Sequence, residues 1–262
     1  MRKIYIDCTA GVSGDMVLNA LIGLTEGPDA VRANIERIAE IIEVKGEEHA
    51  HTHEHTHEHM HHHGHEHAHE HGHEGHHEHG HDHAHQRGSG DQHHRSYQTV
   101  KELINSLPVT SRLKKSAEQI YAVIAKAESA VHGNPLDRLH FHEVGRNQAI
   151  SNVMGIAVCM DALRAEEVIV SEICDGHGTV QCAHGILNVP VPAVKAMLDH
   201  CSLAYRQTDY EGEMVTPSGL AMLIGIGAVT GEKPAGAPIR SSEAKGARAF
   251  TEHGLIADLF EG

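Results

Sequence analysis

The first residues set the style of the chain. KIYIDC, Lys3 to Cys8, is a short run rich in β-branched residues and predicts a strand. The turn-like TAGVSG follows, and then DMVLNALIGL, whose apolar positions recur at helical spacing. A second helix is expected from about Asp29 to Val44, with Ile35, Ile38, Ile41 and Ile42 on one face.

Apolar periodicity then stops, and it resumes only at YQTVKELINSL and SRLKKSAEQIYAVIAKAESAVHG, the latter closing on a glycine suited to a helix C-cap. Another helix is expected from about Gln148 to Arg164. EEVIVSEIC, Glu166 to Cys174, has the β-branched pattern of a strand, and GTVQCAHGILNVPVPA that of a hairpin closed by prolines. PAVKAMLDH and TPSGLAMLIGIGAV complete the alternation, with Thr216 as an N-cap and Pro217 at the first helical position. The pattern predicts an α/β fold, a mixed α+β arrangement remaining open. One domain is expected from residues 1–44 and 96–262.

Between them lies residues 45–95, with almost nothing apolar to bury, which predicts a disordered insertion. From His49 to His85 there are 20 histidines in 37 residues, many as His-x-His. In an extended chain that spacing puts successive imidazoles on one side. Neutral imidazole suits nickel, zinc, copper and cobalt, and a free-solution pKa of about 6.5 leaves most rings neutral at physiological pH. His53, His55, His57, His59, His61, His63, His65, His67, His69 and His71 are therefore expected metal ligands. Flexible ligands make a labile store rather than a preorganised catalytic site, so any chemistry belongs elsewhere.

Composition narrows the classes. The net charge is −15, but much of the acidity comes from glutamates interleaved with the histidines, and no basic stripe with aromatics marks a nucleic-acid surface. Five cysteines and an N-terminus without a signal-peptide pattern point to a reducing cytoplasm. No run approaches the roughly 18 apolar residues of a membrane span.

Three stretches carry candidate chemistry. In IDCTAGVSGDM, Asp7, Cys8, Gly11, Ser13, Gly14 and Asp15 stand where a strand feeds a helix. The place suits a phosphate, or a plain glycine turn with Asp15 in the first helical turn. HFHEVG alternates His140 and His142, which share one face if the stretch is extended, with Glu143 adjacent, and suits either a metal or general acid/base cluster or a pair of structural histidines. CDGHGTVQCAHG adds Cys174, His177, Cys182 and His184, either as ligands or as a hairpin that happens to carry them.

In order along the chain, YIDCTAGVSGDMVLNAL, LHFHEVG, AHGILNVPVPAVKAML and EGEMVTPSGLAML, around a histidine-rich insertion, resemble the N-terminal part of the LarC family, the nickel insertion proteins of the lactate racemase cofactor pathway. The resemblance implies a lyase of the metal chelatase type. It would place nickel into pyridinium-3,5-bisthiocarboxylic acid mononucleotide, in a CTP-dependent reaction with a divalent cation, for use by a lactate racemase-type apoprotein. It implies a nucleotide held by Asp7, Gly11, Ser13 and Gly14. His140, His142, Glu143 and Asp15 would do the chemistry, and His184 and Cys8 would join the tract in handling nickel. It leaves homo-oligomer formation open.

Two departures stand out. The family usually carries two acidic residues four apart on the helix after HEVG, where this chain has Gln148 and Asn152. The family also continues into a C-terminal region assigned to CTP, whereas this sequence ends at Gly262, so either a separate C-terminal half as partner or a frameshift is expected. A nickel store or metallochaperone without catalysis is the competing expectation.

Overall fold

The computed structural model describes residues 1–53, 95–182, 185–248 and 250–262, residues 47–53 as helical backbone only. In chain order the elements are β1 (Arg2–Asp7), α1 (Gly14–Leu24), α2 (Pro28–His53), β2 (Arg95–Ser96), α3 (Tyr97–Ser106), α4 (Ser111–His132), β3 (His140–Phe141), α5 (Asn147–Leu163), β4 (Glu167–Val170), β5 (Ile173–His177), β6 (Thr179–Cys182), β7 (Gly185–Asn188), α6 (Pro192–Leu198), β8 (Tyr205–Glu211), α7 (Pro217–Gly225), β9 (Val229–Thr230), β10 (Arg240–Ala244) and β11 (Leu255–Glu261).

The principal sheet has the order β10–β11–β1–β4–β9. β1 runs parallel to β4 and antiparallel to β11, and β4 runs parallel to β9. This is a mixed sheet in a mixed α/β fold. α1 lies against β10 and β11 with α5 beside it, α2 packs on α5, and α4 packs on α5, α6 and α7. Ile4 and Ile6 of β1 and Leu255, Ala257 and Leu259 of β11 are fully buried. Residues on both sides of the histidine tract, Ile42 and Leu103 among them, join one apolar core.

Local signals place most elements where the pattern predicts. Ser13, Thr110 and Thr216 cap α1, α4 and α7 by accepting from backbone N–H groups, and Gly133 ends α4 in the left-handed conformation. The predicted hairpin is β6–β7.

Three features differ from expectation. The second helix continues past Val44 to His53. The single strand expected over Glu166–Cys174 is two: β4 in the principal sheet, and β5 paired with β8. Ser171 causes the break, because its hydroxyl takes the Cys8 N–H at 2.8 Å and the chain then turns away from β1. β10 and β11 emerge from a C-terminal stretch for which no element was expected, and β11 gains its place by covering β1. The tract residues His55, His57, His59, His61, His63, His65, His67, His69 and His71 lie outside the described residues, as does His184; for His53 only the backbone, at the end of α2, is described.

Candidate functional site

The loop after β1 is built by internal pairing. Asp7 Oδ1 accepts from the Thr9 backbone N–H at 3.0 Å and its hydroxyl at 2.6 Å. Gly11, at φ +85°, lets its N–H reach the Cys8 carbonyl at 3.1 Å. Val12 then pairs with the segment before α7, donating to the Met214 carbonyl at 2.8 Å and accepting from Thr216 N–H at 2.9 Å. A Cβ on Gly11 would stand 2.3 Å from the Met214 carbonyl, and one on Gly14 3.2 Å from Met222 Cε and Ser218 Oγ. The room these glycines make is filled by protein, and the Ser13 hydroxyl caps its own helix at Met16 N–H. The AGVSGD loop thus does the structural work of joining α1 to the segment before α7.

At the start of α1, Asp15 Oδ1 accepts from Asn152 Nδ2 at 2.7 Å, and Asn152 Oδ1 accepts from Gln148 Nε2 at 2.9 Å. The two amides on α5 form a chain of hydrogen bonds ending on the single carboxylate of α1. With two carboxylates in their place, three acids would meet here.

HFHEVG does not keep the extended alternation expected of it. β3 ends at Phe141, His142 has φ −90° and ψ −98°, and Glu143–Gly145 is a 3₁₀ turn. The turn is held by the Tyr121 hydroxyl on the Val144 carbonyl at 2.9 Å and by buried Arg95 on the Gly145 carbonyl at 2.9 Å. His140 is exposed on β3, while half-buried His142 has its ring 6.1 Å from that of His132 at the end of α4. The two histidines do not line one strand face.

Two carboxylates that the sequence reading passed over are the most constrained in this region. Asp175 is fully buried at the middle of β5. Its Oδ1 accepts from the N–H groups of Gly176, Met214 and Val215 at 2.8, 2.9 and 3.0 Å, and its Oδ2 from the Tyr205 hydroxyl at 3.1 Å. One side chain thus ties β5, β8 and the approach to α7 together. Glu213 follows on that approach, and burial, then the charges of Asp175 and Glu143, push its carboxyl up to about 7, with Arg248 opposing. An acid poised at that value can take or give a proton at neutral pH. The available signals were an acid inside the buried stretch ICDG and another in EGEMV, neither of which has a distinctive spacing.

Cys8 is wholly buried, its thiol on the Ile6 carbonyl at 3.7 Å, and burial, with Asp7 and Cys174 adding to it, holds the thiol far above its ordinary range. A neutral thiol in the core is a poor nickel ligand. Among the described residues no group of three or more His, Cys, Asp and Glu side chains is arranged to hold a metal ion.

Residues 4–257 match the nickel insertion protein family. The chain belongs to this family. It is 34% identical over 225 residues to the pyridinium-3,5-bisthiocarboxylic acid mononucleotide nickel insertion protein of Alkaliphilus metalliredigens, covering 86% of this chain and 52% of that protein. The protein of the same name from Acetivibrio thermocellus is 32% identical over 241 residues, covering 89% and 54%. A putative nickel insertion protein from Geobacter is 31% identical over 252 residues, covering 96% and 59%. The chain thus spans somewhat more than half the length of these relatives. No solved structure matches it. No described helix is long and apolar enough to cross a membrane.

Proposed function

We propose that this chain is the N-terminal half of a nickel insertase. It places nickel into pyridinium-3,5-bisthiocarboxylic acid mononucleotide, and its product, the nickel-pincer nucleotide, goes to a lactate racemase-type apoprotein. The observation that carries this reading is the match over nearly the whole chain to relatives whose names state that reaction.

Nickel is the substrate ion. The histidine tract gathers it, His53 to His71 included, and labile imidazole ligation lets it go again. His184, beyond the tract, is a candidate for the handover. Capture by the organic ligand forms two nickel–sulfur bonds and one nickel–carbon bond, the last replacing a ring proton. That proton needs an acceptor, and Glu213, with Glu143 at hand, fits the task better than His140, which is exposed on β3. CTP and its divalent cation belong to the C-terminal region of the family, and the reaction is cytoplasmic.

A second reading, a nickel store or metallochaperone, draws support from the Gln148–Asn152–Asp15 chain, which keeps a single negative charge where the two acids expected at positions 148 and 152 would add two more. Reconstitution separates them: the purified chain, nickel, CTP and the nickel-free nucleotide, with and without a family C-terminal half, scored by activation of nickel-free lactate racemase. Activation with the added half is expected. Bound nickel with no activation in either mixture would sink the insertase in favour of the store.

A further inference from the structure

A cleft of about 510 Å³ opens beside the loop that leaves β1, lined by Thr9, Cys174, Arg206, Thr208, Tyr210 and Thr251 among others. Its size falls within the range of small-ligand sites. Its place is the general one for sheets of this kind, beyond the carboxyl ends of parallel strands, here β1 and β4. A second cleft of about 330 Å³, at Arg112, Met160 and Ile226, adjoins Ala165 at the opposite end of β4, and its Arg112 is already paired with Asp161 at 3.2 Å.

The larger cleft carries both signs of charge and an aromatic face. Arg206 is fixed by Nε on Glu172 at 2.9 Å and Nη2 on Cys174 Sγ at 3.2 Å, and these contacts do not use the two N–H donors of Nη1. A guanidinium pinned on one edge is prepared for an anion on the other. Tyr210 is 44% exposed in a protein with only three Phe, five Tyr and no Trp, and Asp209, its neighbour, also lines the cleft. An aromatic face beside a carboxylate suits a flat cation. The Thr9 and Thr251 hydroxyls already donate, to Asp7 and to the His253 carbonyl, so their oxygens are left as acceptors for hydroxyl groups. An anion, a flat cation and sugar hydroxyls are the three parts of a pyridinium mononucleotide.

We propose that this cleft seats the pyridinium mononucleotide, with Arg206 on its phosphate, Tyr210 against its charged ring and Thr9 and Thr251 at its ribose. The proposal rests on the insertase reading for the identity of the ligand. It puts the nucleotide beside the β1 loop, next to its backbone rather than inside it.

The test uses the full chain and two probes: nicotinamide mononucleotide, which has the charged ring, ribose and phosphate, and cytidine monophosphate, whose ring is neutral. Calorimetric titration is expected to show a preference of about fivefold for the pyridinium compound. Arg206→Gln should weaken both about tenfold or more. Tyr210→Ala should abolish the preference, and Tyr210→Phe should keep it. Both side chains are substantially exposed, so thermal unfolding should be unchanged in all three variants. Absence of binding, equal binding of the two probes, or binding unmoved by these substitutions would overturn the seat. The insertase reading fails separately: no insertion by the chain with its C-terminal half, while the pyridinium probe still responds to Arg206 and Tyr210, would leave the cleft and remove the enzyme. Insertion undiminished in both Arg206→Gln and Tyr210→Ala would leave the enzyme and remove the cleft.

Discussion

Asn152 donates its side-chain amide to Asp15 Oδ1 at 2.7 Å, joining the first turn of α1 to α5. An amide in this position holds the carboxylate without adding charge. Replacing both members of the amide pair, Gln148→Glu with Asn152→Asp, would bring three carboxylates together. The double variant should lose about 1 kcal/mol or more of stability at neutral pH from like-charge repulsion. Added nickel or magnesium should restore it, read as a rise in the melting temperature that the natural chain does not show. A variant as stable as the natural chain and indifferent to divalent ions would mean that these positions do not form an ion site.

Asp175 gathers three backbone N–H groups and a tyrosine hydroxyl in the interior. Asp175→Ala removes the shared acceptor and strands buried donors, at a cost of about 3–5 kcal/mol. Tyr205→Phe should cost about 1 kcal/mol, since the carboxylate keeps its backbone partners. Denaturant unfolding of both variants checks the ratio. Similar losses in the two would contradict the assignment of Asp175 as the hub.

Glu213 has a carboxyl pushed up to about 7 by burial first and by neighbouring acids second. An unfolded glutamate releases its proton at about 4.3, so between that value and 7 the folded chain holds more protons than the unfolded one. This contribution therefore favours the folded state below that window and is lost as pH climbs through it. Unfolding free energies measured from about pH 5 to pH 8 should fall less steeply in Glu213→Gln than in the natural chain. If Glu213 is also the proton acceptor, the same substitution should remove the rise of insertion rate with pH near 7. Identical stability slopes in the two proteins would refute the burial argument.

Gly11 combines a positive φ with a neighbouring carbonyl where a side chain would go. Gly11→Ala should destabilise by about 3 kcal/mol, from backbone strain and from displacement of the Met214 segment. Reduced binding of nucleotide with full stability would instead return this loop to the role of a phosphate seat.

Cys8 is buried and neutral, whereas Cys182 and Cys201 are partly exposed. Alkylation followed by mass spectrometry should modify Cys182 and Cys201 quickly and Cys8 only on unfolding. Nickel that protects Cys8 from rapid modification in the folded chain would contradict its place in the core.

Local chemistry was legible along the chain. Apolar spacing marked α1, α3, α4, α5 and α7, Thr216 and Pro217 marked the start of α7, and the hairpin showed in its own alternation, because each depends on residues within a few positions of one another. The metal affinity expected of the histidine tract rests on composition for the same reason. Tertiary structure alone decided that β4 and β5 part at Ser171, since the cause is a hydrogen bond to Cys8, 163 residues away. It alone recruited β11 to cover β1, buried Asp175 under donors 39 and 40 residues distant, and turned HFHEVG from an alternating strand into a 3₁₀ turn. It also brought Thr9, Arg206, Tyr210 and Thr251 to one cleft. Which side chains share a pocket, and how far a carboxyl is drawn from its ordinary value, depend on contacts between distant segments, and no periodicity along the chain encodes them.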